Sequence, residues 1–392
     1  MRRRLYDDVH EDFRQSFRSF VAAEILPHHD RWEEAGRVDR EMFTAAGEAG
    51  YLAMAVPPEY GGLGTDDFRF NAVIGEELQR ANVIGSGMCI TLHNDVVLPY
   101  LLHFADERQK RRWLPGMVTG ERMGAISMTE PGAGSDLAAL ATSARLDGDD
   151  YVVNGAKTFV TNGLNADLVI LAARTDPAQR HKGISLLVVE DGTPGFTRGR
   201  HLDKIGLRSQ DTAELFFSDA RVPAANLLGG VGEGFSILMR NLAQERLGLA
   251  VSAISAARAA LSWTVEYCKQ REAFGRPLMA HQNTRFTLAD LAVQVDVGQT
   301  FVDALIEAHG RGELTAEDAA KAKYWTTELQ QTVVNRCLQL HGGYGFMREF
   351  PIARAYLDAR IQTIFGGTNE IMKEIVARTL DGGGGDRPAA RR

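Results

Sequence analysis

Glu245 lies in the run NLAQERLGL, and at helical spacing it shares a face with Asn241, Leu242, Gly248, Leu249 and Ser252. A carboxylate among apolar and small neighbours is short of water. Desolvation raises its proton affinity toward neutrality, where a general base works best. Gly248, one turn on, costs helix stability but leaves room for a ligand. The competing role for Glu245 is structural, as the partner of a buried arginine. A second candidate is the loop SMTEPGAGSD, from Ser127 to Asp136, where Pro131 and two glycines enforce a tight, exposed turn. Such a loop presents backbone N–H groups and the hydroxyls of Thr129 and Ser135 to a polar ligand, or is simply a turn. Arg271 ends a long apolar segment and offers a fixed fork of donors for phosphate. A cation at a helix C-terminus is also favoured by the helix dipole without any ligand.

Other polar groups carry less. His28 and His29 read as a helix-surface pair, since no third ligand has metal-site spacing. His93, Asn94, Asp95 and His341 read as packed or hydrogen-bonded helix residues that border a site at most. No G-x-S-x-G elbow exists, so a hydrolase has no support. PGAGSD lacks a third glycine and GGVGEG misses the dinucleotide spacing; neither sits in a βαβ unit, and there is no P-loop.

The elements that must position these residues change texture twice. Residues 7 to about 120 read mainly as helices, with apolar spacing of three and four and loop breaks such as PPEYGGLG. From about 122 to 220, RMGAISM, YVVNGAKTFVTNG, ADLVILAAR, GISLLVVE and TAELFF are short apolar or alternating runs, which read as strands. The helical period then returns to about Leu380, and the longest helix is expected from about Gly234 to Lys269, without internal proline. This predicts an α+β chain: an N-terminal helical domain over 1–121, a middle β-domain over 122–232, a C-terminal helical domain over 233–380 and a disordered tail over 381–392. Strands do not alternate with helices, so a doubly wound sheet is not expected.

With 392 residues the chain has enough length for two or three domains, and 44% apolar residues can bury a sizeable core. The formal net charge of −7 argues against a general nucleic-acid or anionic-membrane binder. Cys89, Cys268 and Cys337 are scattered and odd in number, so a reducing, cytoplasmic setting is expected. The basic start MRRRLYDD lacks the apolar core of a signal peptide, and no membrane span is expected.

Five segments in order resemble the acyl-CoA dehydrogenase family: SMTEPGAGSD, KTFVTNG (Lys157 to Gly163), QREAFGRPLMAHQ (Gln270 to Gln282), QLHGGYGF (Gln339 to Phe346) and IFGGTNEIMKE (Ile364 to Glu374). The resemblance covers about residues 5 to 380. It implies an FAD enzyme that removes two hydrogens across the Cα–Cβ bond of an acyl thioester, with a middle β-barrel and a C-terminal four-helix bundle. It puts Met128 and Thr129 by the flavin ring, Phe159 and Thr161 on its other side, and Ser135 by the thioester. Arg271, Phe274 and Gln282 would reach a neighbouring subunit's FAD, and Gln339, Gly342, Gly343, Thr368 and Glu370 would complete the dinucleotide site.

In many family members the base is a glutamate directly before the Gly-Thr of the last segment. Gly366 occupies that place here. The long-chain and isovaleryl branches carry the glutamate in the long helix instead, and QERL with GGTNEIMKE looks most like the long-chain branch. The resemblance therefore implies Glu245 as base, with Arg246 and Gly367 beside the substrate. The Gly366 N–H keeps its role as a donor to the thioester carbonyl. The implied partners are a medium, long or branched acyl-CoA, an electron-transferring flavoprotein and three further copies of the chain, in fatty acid β-oxidation. The rival readings are an acyl-CoA oxidase, an acyl-carrier-protein-linked dehydrogenase and a catalytically silent FAD or acyl-CoA scaffold.

Overall fold

The computed structural model describes residues 3–380; the tail expected over 381–392 lies outside the described residues. Seven helices come first: α1 (Asp8–Phe20), α2 (His29–Ala35), α3 (Arg40–Glu48), α4 (Phe68–Arg80), α5 (Ile84–Thr91), α6 (Leu98–Phe104) and α7 (Glu107–Thr119). Between α5 and α6 the chain winds as a π-helix, Leu92–Val97. α7 starts on a capping box, in which Asp106 accepts from the Gln109 N–H and the Gln109 side chain returns to the Asp106 N–H. It ends where Gly120 turns left-handed, at φ 77°.

The strands follow: β1 (Gly124–Ser127), β2 (Ser143–Asp147), β3 (Asp150–Thr161), β4 (Leu168–Arg174), β5 (Ile184–Glu190), β6 (Phe196–His201), β7 (Thr212–Pro223) and β8 (Leu227–Leu228). They form one sheet in the order β6-β7-β3-β2-β4-β5-β8, with β1 parallel to β4. The sheet wraps a single apolar core to which β1 to β7 all contribute, from Ala125 to Phe217. β2 and β6 are absent from the sequence expectation, because SARLD and FTRGRH are mostly polar and exposed on one side. β4 is buried on both faces. Val169, Leu171 and Ala173 point into the sheet's own core, while Leu168, Ile170 and Ala172 join a second core with Tyr100, Leu101 and Trp113 of the N-terminal helices and Ile237 and Leu238 further on. That is why its sequence is a continuous apolar run instead of an alternating one.

The helical remainder comprises α8 (Gly234–Gln270), the hairpin β9 (Glu272–Ala273) and β10 (Arg276–Pro277), α9 (Gln282–Gly310), α10 (Ala316–His341), α11 (Pro351–Ala359) and α12 (Asn369–Leu380). α8, α9 and α10 share one core, from Leu247 and Ile254 through Leu291 and Val302 to Val333 and Cys337. α8 has the length and apolarity of a membrane-crossing helix, but 61% of its most apolar stretch is buried inside the protein.

One expectation is corrected. His29 is not on the surface: it is buried, and its Nδ1 lies 2.7 Å from Ser86 Oγ of α5. Burial pulls its pKa down to about 4, so it stays neutral. His28 beside it is exposed.

Candidate functional site

Glu245 projects from α8 with 8% of its surface accessible. Its Oε1 accepts a hydrogen bond of 2.9 Å from Tyr100 Oη of α6, a fully buried side chain. Burial pushes the Glu245 carboxyl up to about 7, against the Tyr100 hydrogen bond and the Arg246 charge, which both lower it. Arg246 is also buried, and burial draws its pKa below the usual range. Its Nε points at the Gly366 carbonyl at 3.4 Å and is not a hydrogen-bond partner of Glu245.

Gly366 and Gly367 form a left-handed turn, at φ 65° and 92°, that faces α8. The turn is held from the other side by Lys323 Nζ, 2.8 Å from the Gly367 carbonyl and 3.0 Å from Asn369 Oδ1. The Gly366 N–H has no protein acceptor among the described residues. A Cβ at Gly366 would stand 2.4 Å from Leu249 Cδ1. Leu249, one turn after Glu245, therefore fills the space that a side chain at 366 would need. A carboxylate on α8 and an unpaired N–H on the facing turn can abstract a proton α to a carbonyl and steady the negative charge that results.

The other sequence-derived residues fall into three groups. Met128, Thr129, Phe159 and Thr161 are gathered by a bulge in β3. The Thr158 N–H donates to the Thr129 carbonyl at 2.9 Å, and buried Lys157 Nζ reaches the Met128 carbonyl at 3.0 Å and Glu130 Oε1 at 2.7 Å. Phe159 occupies that register shift at φ 58°, with 69% of its surface exposed. A non-glycine residue held left-handed with an aromatic ring facing outward is strained, as binding surfaces often are. Ser135 is exposed further along the loop. Arg271, Gln339, Gly342 and Gly343 line a cleft of about 580 Å³, in which the Arg271 guanidinium lies 5.5 Å from the Tyr344 ring centre. Gly342 has φ 59° and ψ −136°, a conformation open in practice only to glycine, and neither it nor Gly343 has an atom within 4 Å of an added Cβ. Thr368 and Glu370 line a separate cleft of about 300 Å³. Phe274 sits at the hairpin tip, 96% exposed, and Gln282 is exposed at the start of α9. An outward aromatic surface and glycine-floored clefts with an arginine fit a flavin dinucleotide.

Sequence reasoning missed Tyr100, the Lys157–Glu130 pair and the steric role of Leu249. Tyr100 lies in LPYLLHF, where a tyrosine reads as core. His93, Asn94 and His341 are packed as expected: His93 Nε2 lies 3.1 Å from the Met117 carbonyl, Asn94 Oδ1 accepts from the Ala53 N–H, and His341 stacks on Tyr267. Among the described residues, no cluster of three or more His, Cys, Asp and Glu is placed to hold a metal.

The proton affinity of Glu245 has a consequence for stability. Its carboxyl is raised from 4.5 to about 7 on folding, so below pH 4.5 both states are protonated and it costs nothing. Between those values only the unfolded chain ionises, and the cost grows with pH until it is complete above 7, at about 3 kcal/mol. Glu245→Gln should match the wild type near pH 4.5 and be more stable by about that amount at pH 8, measured by denaturant unfolding across pH.

Family models match nearly the whole chain: "Acyl-CoA dehydrogenase, N-terminal domain" over residues 7–121, "middle domain" over 125–220 and "C-terminal domain" over 232–380. The long-chain specific acyl-CoA dehydrogenase, mitochondrial, of Sus scrofa is 47% identical over 380 residues, 96% of this chain and 88% of that one. The crystal structure of acyl-CoA dehydrogenase from Geobacillus kaustophilus superposes with a TM-score of 0.94 at 50% identity, covering 96% of this chain and 99% of that one. The acyl-CoA dehydrogenase complexed with FAD from Bacillus anthracis does so at 0.90 and 30% identity, covering 96% and 68%. The chain belongs to the acyl-CoA dehydrogenase family and is an FAD-dependent oxidoreductase.

Proposed function

We propose that the chain converts an acyl-CoA to its trans-2-enoyl-CoA with Glu245 as the base. FAD, when bound, supplies at N5 the acceptor for the hydride that leaves Cβ. Glu245 takes the α-proton as that hydride departs, and the double bond forms between the two carbons. The unpaired Gly366 N–H is placed to donate to the thioester carbonyl, which makes the α-proton more acidic. Arg246 and Lys323 hold the Gly366–Gly367 turn at its working distance from α8. The observation that carries this reading is the Glu245 carboxyl: buried, poised near neutrality and held by Tyr100. A silent scaffold would have no use for such a group. The acyl chain proposed is medium, long or branched, and the name of the Sus scrofa relative, a long-chain specific enzyme, supports the long one.

The assembly proposed is a homotetramer in which Arg271, Phe274 and Gln282 reach the cofactor of a neighbouring copy. Phe286, Val293 and Val297 form an exposed apolar stripe on α9, and Phe274, eight residues before the helix, and Phe346, beyond α10, are exposed as well. Such surface calls for cover. An electron-transferring flavoprotein is proposed as electron acceptor and the cytoplasm as compartment, where the three buried free thiols would stay reduced.

Glu245→Gln should keep FAD and bind acyl-CoA, yet lose about 10² to 10⁴ or more of the rate of flavin bleaching under anaerobic stopped flow. Undiminished bleaching would place the base elsewhere. Moving the carboxylate by Glu245→Gly with Gly366→Glu should restore little activity, because the new side chain meets Leu249. Adding Leu249→Ala should raise that activity by about tenfold or more, since about 1 Å of misplacement costs on the order of 10²-fold. Separately, Arg271→Ala should lose FAD on dilution while light scattering still gives the wild-type mass; retention equal to wild type would remove Arg271 from the cofactor site.

A further inference from the structure

The face of α8 that carries Glu245 continues to a second carboxylate. Asp95 lies in the π-helical segment Leu92–Val97, five residues before Tyr100 and so about one widened turn away. Its Oδ1 accepts from Asn71 Nδ2 at 2.6 Å, and its own carbonyl accepts from Gln244 Nε2 at 3.1 Å, which fixes the segment to α4 and α8. Its Oδ2 has no hydrogen-bond partner among the described residues. That oxygen stands 3.6 Å from where a Cβ on Gly248 would be, with Phe68 Cζ at 4.0 Å from the same point. Asp95 keeps accessible surface although burial pushes its carboxyl up to about 7. Gly248 leaves a methyl-sized space beside that oxygen, at a cost of about 1 kcal/mol to the helix relative to alanine.

We infer that Asp95 is a specificity-determining residue, whose free carboxyl oxygen takes a hydroxyl group carried on the acyl chain a few carbons beyond the reacting bond. The inference rests on Glu245 marking the α-carbon: Gly248 is three residues further, about 4.5 Å along the helix. A chain that runs from Glu245 past Gly248 meets Asp95 Oδ2 beside it. A plain methylene chain would cover that oxygen and leave it unpaired, which is costly. A hydroxyl both donates and accepts, so it satisfies the carboxyl in either protonation state. An ammonium group has three donors, and Asp95 has one oxygen free for them. An anionic tail would be repelled. The preferred substrate is then a hydroxylated acyl thioester.

The test uses the FAD-loaded enzyme and matched acyl-CoA pairs, each a plain chain and the same chain with a hydroxyl on one successive carbon beyond Cβ. The readout is the ratio of kcat/KM, hydroxylated to plain, at the best position. The wild type should favour the hydroxylated chain by about tenfold or more, as expected for a hydrogen bond to a charged group. Asp95→Leu should invert the preference, with the plain chain gaining and the hydroxylated one losing. Flavin absorbance reports whether that variant is folded. If it does not hold FAD, Gly248→Ala decides, because a methyl set against Asp95 Oδ2 should lower the ratio with Asp95 intact. A wild type that prefers the plain chain at every position, or a ratio unmoved by the deciding variant, overturns the inference. Failure of Glu245 as base is distinguishable: Glu245→Gln would then turn over, whatever the ratio does.

Discussion

The 2.9 Å hydrogen bond from Tyr100 to Glu245 joins residues 145 apart in sequence, and the chemistry proposed for Glu245 depends on the balance it strikes. In water the Glu245 carboxyl would be a weak base. Burial without a partner would carry it too far the other way, leaving it protonated and inert at neutral pH. One donor opposes the burial and leaves the group near 7. Tyr100 is able to do this because α6 is immobilised. It packs with Leu98 and Leu101 in the core shared by the N-terminal helices, one face of β4 and β5, and the first turns of α8.

That shared core explains why three parts of different texture act as one body. β4 and β5 send alternate residues to opposite sides, so the sheet is fastened to the helices through its own strands. The Met128–Glu130 loop is fastened to β3 by buried Lys157, whose ammonium meets the Met128 carbonyl and the Glu130 carboxylate. The pair is almost fully enclosed, and Glu130 also accepts from the Ala141 and Thr142 N–H groups. Breaking one partner of such a pair leaves a buried charge uncompensated. The exposed surface at Phe159, proposed to face the flavin, is thereby set from beneath instead of by its own contacts.

Much of this was legible in the sequence. Glu245 could be placed because α8 has a strong helical period and no proline. The segments proposed for the cofactor stand out because each is contiguous and carries its own glycine. The strands β1, β3, β4, β5 and β7 showed because their cores demand apolar runs. What could not be read was set by residues distant in sequence. Tyr100 looks like any core tyrosine until α6 meets α8. Leu249 looks like a helix leucine until the Gly366 turn folds onto it. Lys157 carries no signal in the sequence of its pairing with Glu130, 27 residues away, and His29 reads as surface because α2 is too short to reveal which side α5 covers. β2 and β6 were hidden because only one side of each is buried.

The most direct test of the account is the pH dependence of flavin bleaching by acyl-CoA, compared between wild type and Tyr100→Phe. The Tyr100 hydroxyl stabilises the carboxylate form of Glu245, so its removal raises the pKa. The account predicts a wild-type rate that climbs with pH through about 7 as the base ionises, and a limb displaced to higher pH in Tyr100→Phe with the alkaline plateau retained. A wild-type rate that is flat from about pH 5 to 9, or a limb that Tyr100→Phe leaves in place, would contradict it.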